Sequence, residues 1–219
     1  MFQKSAFLFF SLFFVLTAAL PSFSPAAAER ERGRFSIYFM EEKVGYEEYT
    51  WRQDERGFVL EVEGRMTKPI RMTIEELTIR LDSSFIPNYF KFKGTVSGVE
   101  QEVSSTFKEG KVLNSIKMGD QEYQQSAEVK RDTFLLPNPM FSPYMLITKK
   151  YRCSLEETLE LSGYIIPQVE TPFMLGPQEE IPCSLLMEMG ATQIELITDE
   201  QGRLNELRIP LQKLRIVRD

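Results

Sequence analysis

The chain has 219 residues, 26 Lys+Arg against 32 Asp+Glu, and a formal charge of −6. An acidic protein without a long basic run is poorly suited to nucleic acid, whose phosphates demand Lys and Arg. There are no histidines, which excludes Ser–His and Cys–His triads, imidazole zinc sites and histidine proton shuttles.

Residues 1–28 read as a secretory signal peptide. Lys4 gives a minimal positive start, Ala6 to Leu20 is an apolar run of about fifteen residues, and Ala26-Ala27-Ala28 offers a small-residue cleavage pattern. The competing reading is an uncleaved anchor, since a spanning helix needs about twenty apolar residues. Cleavage leaves residues 29–219 as one domain and implies a periplasmic or secreted protein with no later transmembrane segment. Export also favours a disulfide between its two cysteines, Cys153 and Cys183. Two free buried thiols are the alternative.

Beyond a linker near Glu29–Gly33, short β-like runs follow at hairpin spacing. Phe35 to Met40 and Tyr46 to Trp51 come first, then the turn Asp54–Gly57, then Phe58, Leu60 and Val62 alternating with Glu61 and Glu63. Met72 and Ile74 hold one parity and Leu77, Ile79 and Leu81 the other, so a β-bulge at Glu75 or Glu76 is needed to keep one dry face. Phe90 and Phe92 alternate with lysines. Val103 to Phe107, Lys111 to Met118 and the polar Gln121 to Val129 continue the series.

Phe134 to Tyr151 breaks the rhythm with Pro137, Pro139 and Pro143. Ser142-Pro143 resembles an N-cap followed by proline at the first helical position, and Lys149 and Lys150 suit the last turn, so the pattern predicts a short helix over 143–151. Strands resume over Leu155 to Ile166, at Leu185, Met187 and Met189, in the hairpin of Ile194 to Thr198 with Leu204 to Ile209, and at Leu214 to Val217. The expected fold class is therefore mainly β: a single strongly curved antiparallel sheet, an open or unclosed barrel, with one short helix.

No Gly-rich phosphate loop, nucleophile elbow, EF-hand or zinc spacing occurs, so no catalytic residue, metal or cofactor is expected. Glu75-Glu76, Glu156-Glu157 and Glu179-Glu180 are adjacent carboxylates, which point to opposite faces of a strand and do not converge by themselves. The 17 Phe, 8 Tyr and 10 Met suggest an apolar lining as readily as a core. Candidate ligand-binding residues are Phe134, Met140, Phe141, Tyr144, Met145, Phe90 and Phe92. The proline-hinged helix would serve either as a lid over the barrel mouth or as a permanent plug.

The opening Phe35-Ser-Ile-Tyr-Phe-Met-Glu-Glu-Lys-Val-Gly45-Tyr-Glu-Glu, the closing Thr198-Asp-Glu-Gln-Gly202-Arg-Leu-Asn-Glu-Leu-Arg-Ile-Pro210 and the final Arg215-Ile-Val-Arg218 resemble exported bacterial half-barrel domains of uncharacterised function. These are similar in turn to glycolipid-binding and lipoprotein-carrier (LolA/LolB-like) families. The resemblance implies an open antiparallel barrel and a non-enzymatic binding or carrier protein for a lipid, glycolipid or lipidated partner. The alternative is a cell-envelope interaction module, binding an envelope protein through the edge of the polar Gln121–Glu128 strand.

Overall fold

The computed structural model describes residues 30–167, 169–178 and 181–219. The expected signal peptide lies outside them. Among the described residues fifteen strands follow in chain order: β1 Arg30–Phe39, β2 Glu42–Asp54, β3 Gly57–Met66, β4 Met72–Leu81, β5 Pro87–Val96, β6 Val99–Lys108, β7 Lys111–Met118 and β8 Gln121–Glu128. After them come β9 Phe134–Leu135, the helix α1 Met145–Tyr151, β10 Leu159–Ile165, β11 Val169–Pro177, β12 Ser184–Met189, β13 Thr192–Thr198, β14 Leu204–Ile209 and β15 Leu214–Arg218. All the strands belong to one sheet in the order β8-β7-β6-β5-β4-β3-β2-β1-β15-β14-β13-β12-β11-β10-β9. The fold class read from the strand rhythm is the one observed, and among the described residues only the β9–β10 pair is parallel.

Two neighbouring meanders thus meet at β1 and β15, where Phe35 to Phe39 pair with Arg218 to Leu214. A sheet this wide curls rather than staying flat. The expected bulge is present: Glu75 and Glu76 together oppose Glu63, with Val62 paired to Leu77 and Gly64 to Ile74. Its effect is to turn Met72, Ile74, Leu77, Ile79 and Leu81 all into the core. Beside it the backbones pack so closely that a Cβ on Gly94 would overlap the Thr73 carbonyl oxygen, and one on Gly64 the Tyr46 carbonyl oxygen.

Curling brings the flanks of the sheet together without a shared ladder. Asn114 of β7 donates through Nδ2 to the Tyr164 hydroxyl of β10 at 2.9 Å and to the Pro167 carbonyl at 2.9 Å. Gln125 of β8 donates to the same carbonyl at 2.7 Å, and Phe107 meets the Tyr164 ring edge-on. Side chains therefore bridge the gap, while β8 remains an unpaired and largely exposed edge. Within the curl lie Phe134 to Ile147, most of them buried.

Three local readings differ from expectation. The linker at Glu29–Gly33 is strand from Arg30 on, because Arg30 to Arg34 find partners in Arg52 to Glu48 of β2. The strand expected over Leu155 to Ile166 begins only at Leu159. β11 was masked in the sequence by Pro172 and Pro177. Proline is tolerated at Pro172 because β12 pairs with β11 only from Met174 onward, so no β12 ladder bond is missing there. Cys153 and Cys183 form a disulfide, with Cα atoms 4.5 Å apart, tying the end of α1 to the start of β12.

Replacing Gly94 by Val forces a side chain into the Thr73 backbone, and we expect destabilisation of about 2–3 kcal/mol, read by urea denaturation. Unchanged stability would mean that the sheet does not need this close approach in order to bend.

Candidate functional site

Strands alternate in direction, so the β1–β2, β3–β4, β12–β13 and β14–β15 turns share one end of the sheet, here the upper end. β9 delivers the chain to this end. The Pro137–Phe141 stretch crosses it, and a 3-10 turn at Ser142–Tyr144 leads into α1, which runs down the interior.

The first turn of this helical segment has backbone N–H groups without helical partners. Ser142 was expected to cap them and does not. Glu47, projecting inward from β2, accepts the Phe141 N–H at 2.9 Å, the Ser142 N–H at 2.6 Å and the Ser142 hydroxyl at 2.5 Å. Its side chain is wholly buried (0% exposed). Burial pushes the Glu47 carboxyl above the usual carboxylate range, partly opposed by the hydrogen bonds from Ser142 and Phe141.

The far end of the helix is pinned as well. Lys149 Nζ lies 2.5 Å from Glu31 of β1, which also accepts from Arg218 at 2.9 Å and from the Tyr49 hydroxyl at 3.0 Å. Burial raises the Glu31 carboxyl, but the hydrogen bond and charge of Lys149, with the charge of Arg218, outweigh it and hold Glu31 below its ordinary value. Met145, Leu146 and Ile147 are buried in the core. Bonded at both ends, the helix is a plug rather than a lid.

Above the plug an apolar cleft of about 300 Å³ remains open at the upper end. Met140, Phe141 and Tyr144 form one wall, facing Met66, Met189 and Ile194 across it, with Pro69 and Ile70 of the β3–β4 loop at the mouth. Of the residues singled out by sequence, the structure brings Met140, Phe141 and Tyr144 together here. Phe134 packs against Tyr151 and Phe173, Met145 is buried in the first turn of the plug itself, and Phe90 and Phe92 are core residues of β5. Met66 and Met189 were legible only as inward positions of their strands, and Glu47 only as a carboxylate sharing the parity of Tyr49 and Trp51.

Burial pushes the Tyr144 phenol up to about 12, so it stays neutral. Asn138, Thr192 and Gln212 supply further polar groups at the wall. A larger concavity of about 760 Å³ lies on the outer face over the Glu75–Glu76 bulge, but it is shallow and lined by charge. Of its five carboxylates, Glu48, Glu61, Glu75 and Glu76 pair with Arg34, Arg52, Lys93 and Lys91, and Glu63 has no ion pair among the described residues. Glu156 and Glu157 are exposed before β10, and Glu179 and Glu180 lie outside the described residues. No helix among the described residues is long and apolar enough to cross a membrane.

Glu31→Gln leaves the buried Lys149 without its counter-charge and should cost about 3 kcal/mol or more. The pH signs of the two carboxyls are opposite. Glu31, lowered in the fold, stabilises above the ordinary carboxylate pKa, and this is lost as pH falls through its depressed value. Glu47, raised in the fold, contributes stability in acid that is lost as pH rises through its folded value. Glu47→Gln should therefore remove the part of the stability that declines on going from mildly acidic to neutral pH, and Glu31→Gln the part lost in strong acid. Denaturation curves across pH check both.

No family model matches the chain, and no curated protein matches it. Among solved structures, a DUF1089 family protein from Pseudomonas aeruginosa aligns with a TM-score of 0.44 and 12% identity, over 89% of this chain and 95% of that one.

Proposed function

We propose that the protein is a non-enzymatic extracytoplasmic binding or carrier protein for a lipid, glycolipid or lipidated partner, whose apolar part occupies the cleft above the plug. The observation that carries this reading is the cleft itself: an opening of about 300 Å³ beside the plug, walled by Met66, Met140, Met189 and aromatic rings. That volume is at the lower end of ligand pockets, which suits one apolar chain rather than a bulky molecule. Methionine side chains adapt to an irregular or variable chain. Tyr144, Asn138 and Gln212 can orient a polar head at the mouth. The disulfide suits an oxidising compartment.

Native mass spectrometry of gently purified protein, followed by organic extraction, tests the proposal. A discrete mass increment that extracts as a lipid is expected. Ile70→Asp should abolish it at unchanged melting temperature, Tyr144→Asp should abolish it at some cost in stability, and Met145→Asp should unfold the core. A clean apo mass in the wild type would overturn the reading.

A second reading is favoured by β8, whose outer backbone edge has no strand partner along Gln121–Glu128 among the described residues. Such an edge can add a strand from an envelope protein. Co-purification of one protein, lost on Gln124→Pro and without bound lipid, would favour it.

A further inference from the structure

The three turns on neighbouring strands at the upper end each carry an exposed apolar residue. Met40 in the β1–β2 turn is 59% exposed, Leu211 in the β14–β15 turn 71%, and Ile70 in the β3–β4 loop 38%. Single exposed hydrophobic residues are ordinary, but these sit on one stitched rim. Met40 N–H donates to the Lys213 carbonyl, Thr67 N–H to the Val44 carbonyl, and Lys68 bridges to Glu42 at 2.8 Å. Met40 and Glu41 both hold left-handed backbone (φ 50° and 65°) with no glycine in the turn, so this tip is held outward at some conformational cost.

Charge is distributed to match. Around the tips lie Lys43, Lys68, Arg71 and Lys213, with Glu41 and Glu42 as the facing acids. Lys68 takes up Glu42, and Arg215 lies 3.6 Å from Glu41. Lys43, Arg71 and Lys213 have no carboxylate within ion-pair distance among the described residues. A chain of net charge −6 thus presents surplus cations beside protruding apolar tips. At the opposite end, the turns Asp54–Gly57 and Asp199–Arg203 carry Asp54, Glu55, Asp199 and Glu200 against Arg56 and Arg203, and no exposed large hydrophobic residue.

We propose that this rim docks on an anionic lipid bilayer, with Met40, Ile70 and Leu211 entering the interface and Lys43, Arg71 and Lys213 meeting headgroup phosphates. Separate apolar points ringed by cations suit a fluid interface, which adapts to them without a complementary solid surface. The inference rests on the carrier reading only for its purpose: the rim surrounds the mouth of the cleft, so docking would bring that mouth to the source or destination of an acyl chain.

Flotation of the purified exported protein, its N-terminus read by mass, with phosphatidylethanolamine–phosphatidylglycerol vesicles tests the rim, and phosphatidylcholine vesicles are the reference. The wild type should float with the anionic vesicles and be released by salt. The double variant Met40→Asp/Leu211→Asp, neither residue lining the cleft, should lose about tenfold or more of this binding. Lys43→Gln/Arg71→Gln/Lys213→Gln should lose the preference for anionic vesicles by about tenfold or more. Native mass spectrometry of the same proteins keeps the two ideas apart. Rim variants that retain extractable lipid but do not float support docking. A wild type that floats yet never carries lipid leaves docking standing and removes the carrier reading. A wild type that does not float, or a double variant that floats equally well, overturns the docking proposal, as does a rim-dependent protein partner without vesicle binding.

Discussion

The Glu47 carboxylate is the constraint on which the interior depends. It enters from β2 with no cation in contact among the described residues, and is held by two backbone N–H groups and one hydroxyl of the plug. An uncompensated buried carboxylate would be expensive, and so would orphaned N–H groups at the start of a buried helical segment. Each offsets part of the other's cost, but only in one geometry. That geometry fixes the height at which Phe141 and Ser142 cross the sheet, and hence where Tyr144 and Met140 stand. The cleft is the space left above this crossing.

The sheet has to supply the wall on every side of the plug, and it does so by bending rather than by closing. The Glu75–Glu76 bulge and the close backbone approach at Gly64 and Gly94 turn β2 to β5 inward. Asn114, Gln125 and Tyr164 then bridge the flanks through side chains. Closure of this kind leaves β8 with an open edge, and leaves the upper end ringed by separate turns. Lys149 and Glu31 fasten the lower end of the plug to the strand that joins the two meanders. The cleft walled by the plug therefore opens at the top, where the apolar turn tips are.

Much of the fold was legible because its strands alternate strictly. The parity change between Ile74 and Leu77 announced the bulge, and Asp199 to Gly202 announced a hairpin. The helix was readable from Ser142-Pro143 and the terminal lysines, although its capping came from elsewhere. What could not be read depends on contacts across long sequence separations. Arg30 to Arg34 look like a charged linker until β2 pairs with them, and Pro172 looks like a strand breaker until one side of β11 proves unpaired. Within the site, Tyr144 and Met140 stood out in a proline-rich aromatic segment. Phe90 and Phe92 had the same composition and went to the core, since an aromatic residue facing inward looks alike in sequence whether it meets another side chain or empty space.

A plug and a lid of identical sequence differ in how they open, and this decides how any cargo enters. Hydrogen exchange at the Phe141 and Ser142 amides separates them most directly. The Glu47 bonds predict that both amides exchange only with global unfolding, at the same free energy as the core of β2 and β3. Exchange of these amides through a low-energy local opening, while β2 and β3 stay protected, would contradict a fixed plug and restore the segment as a lid.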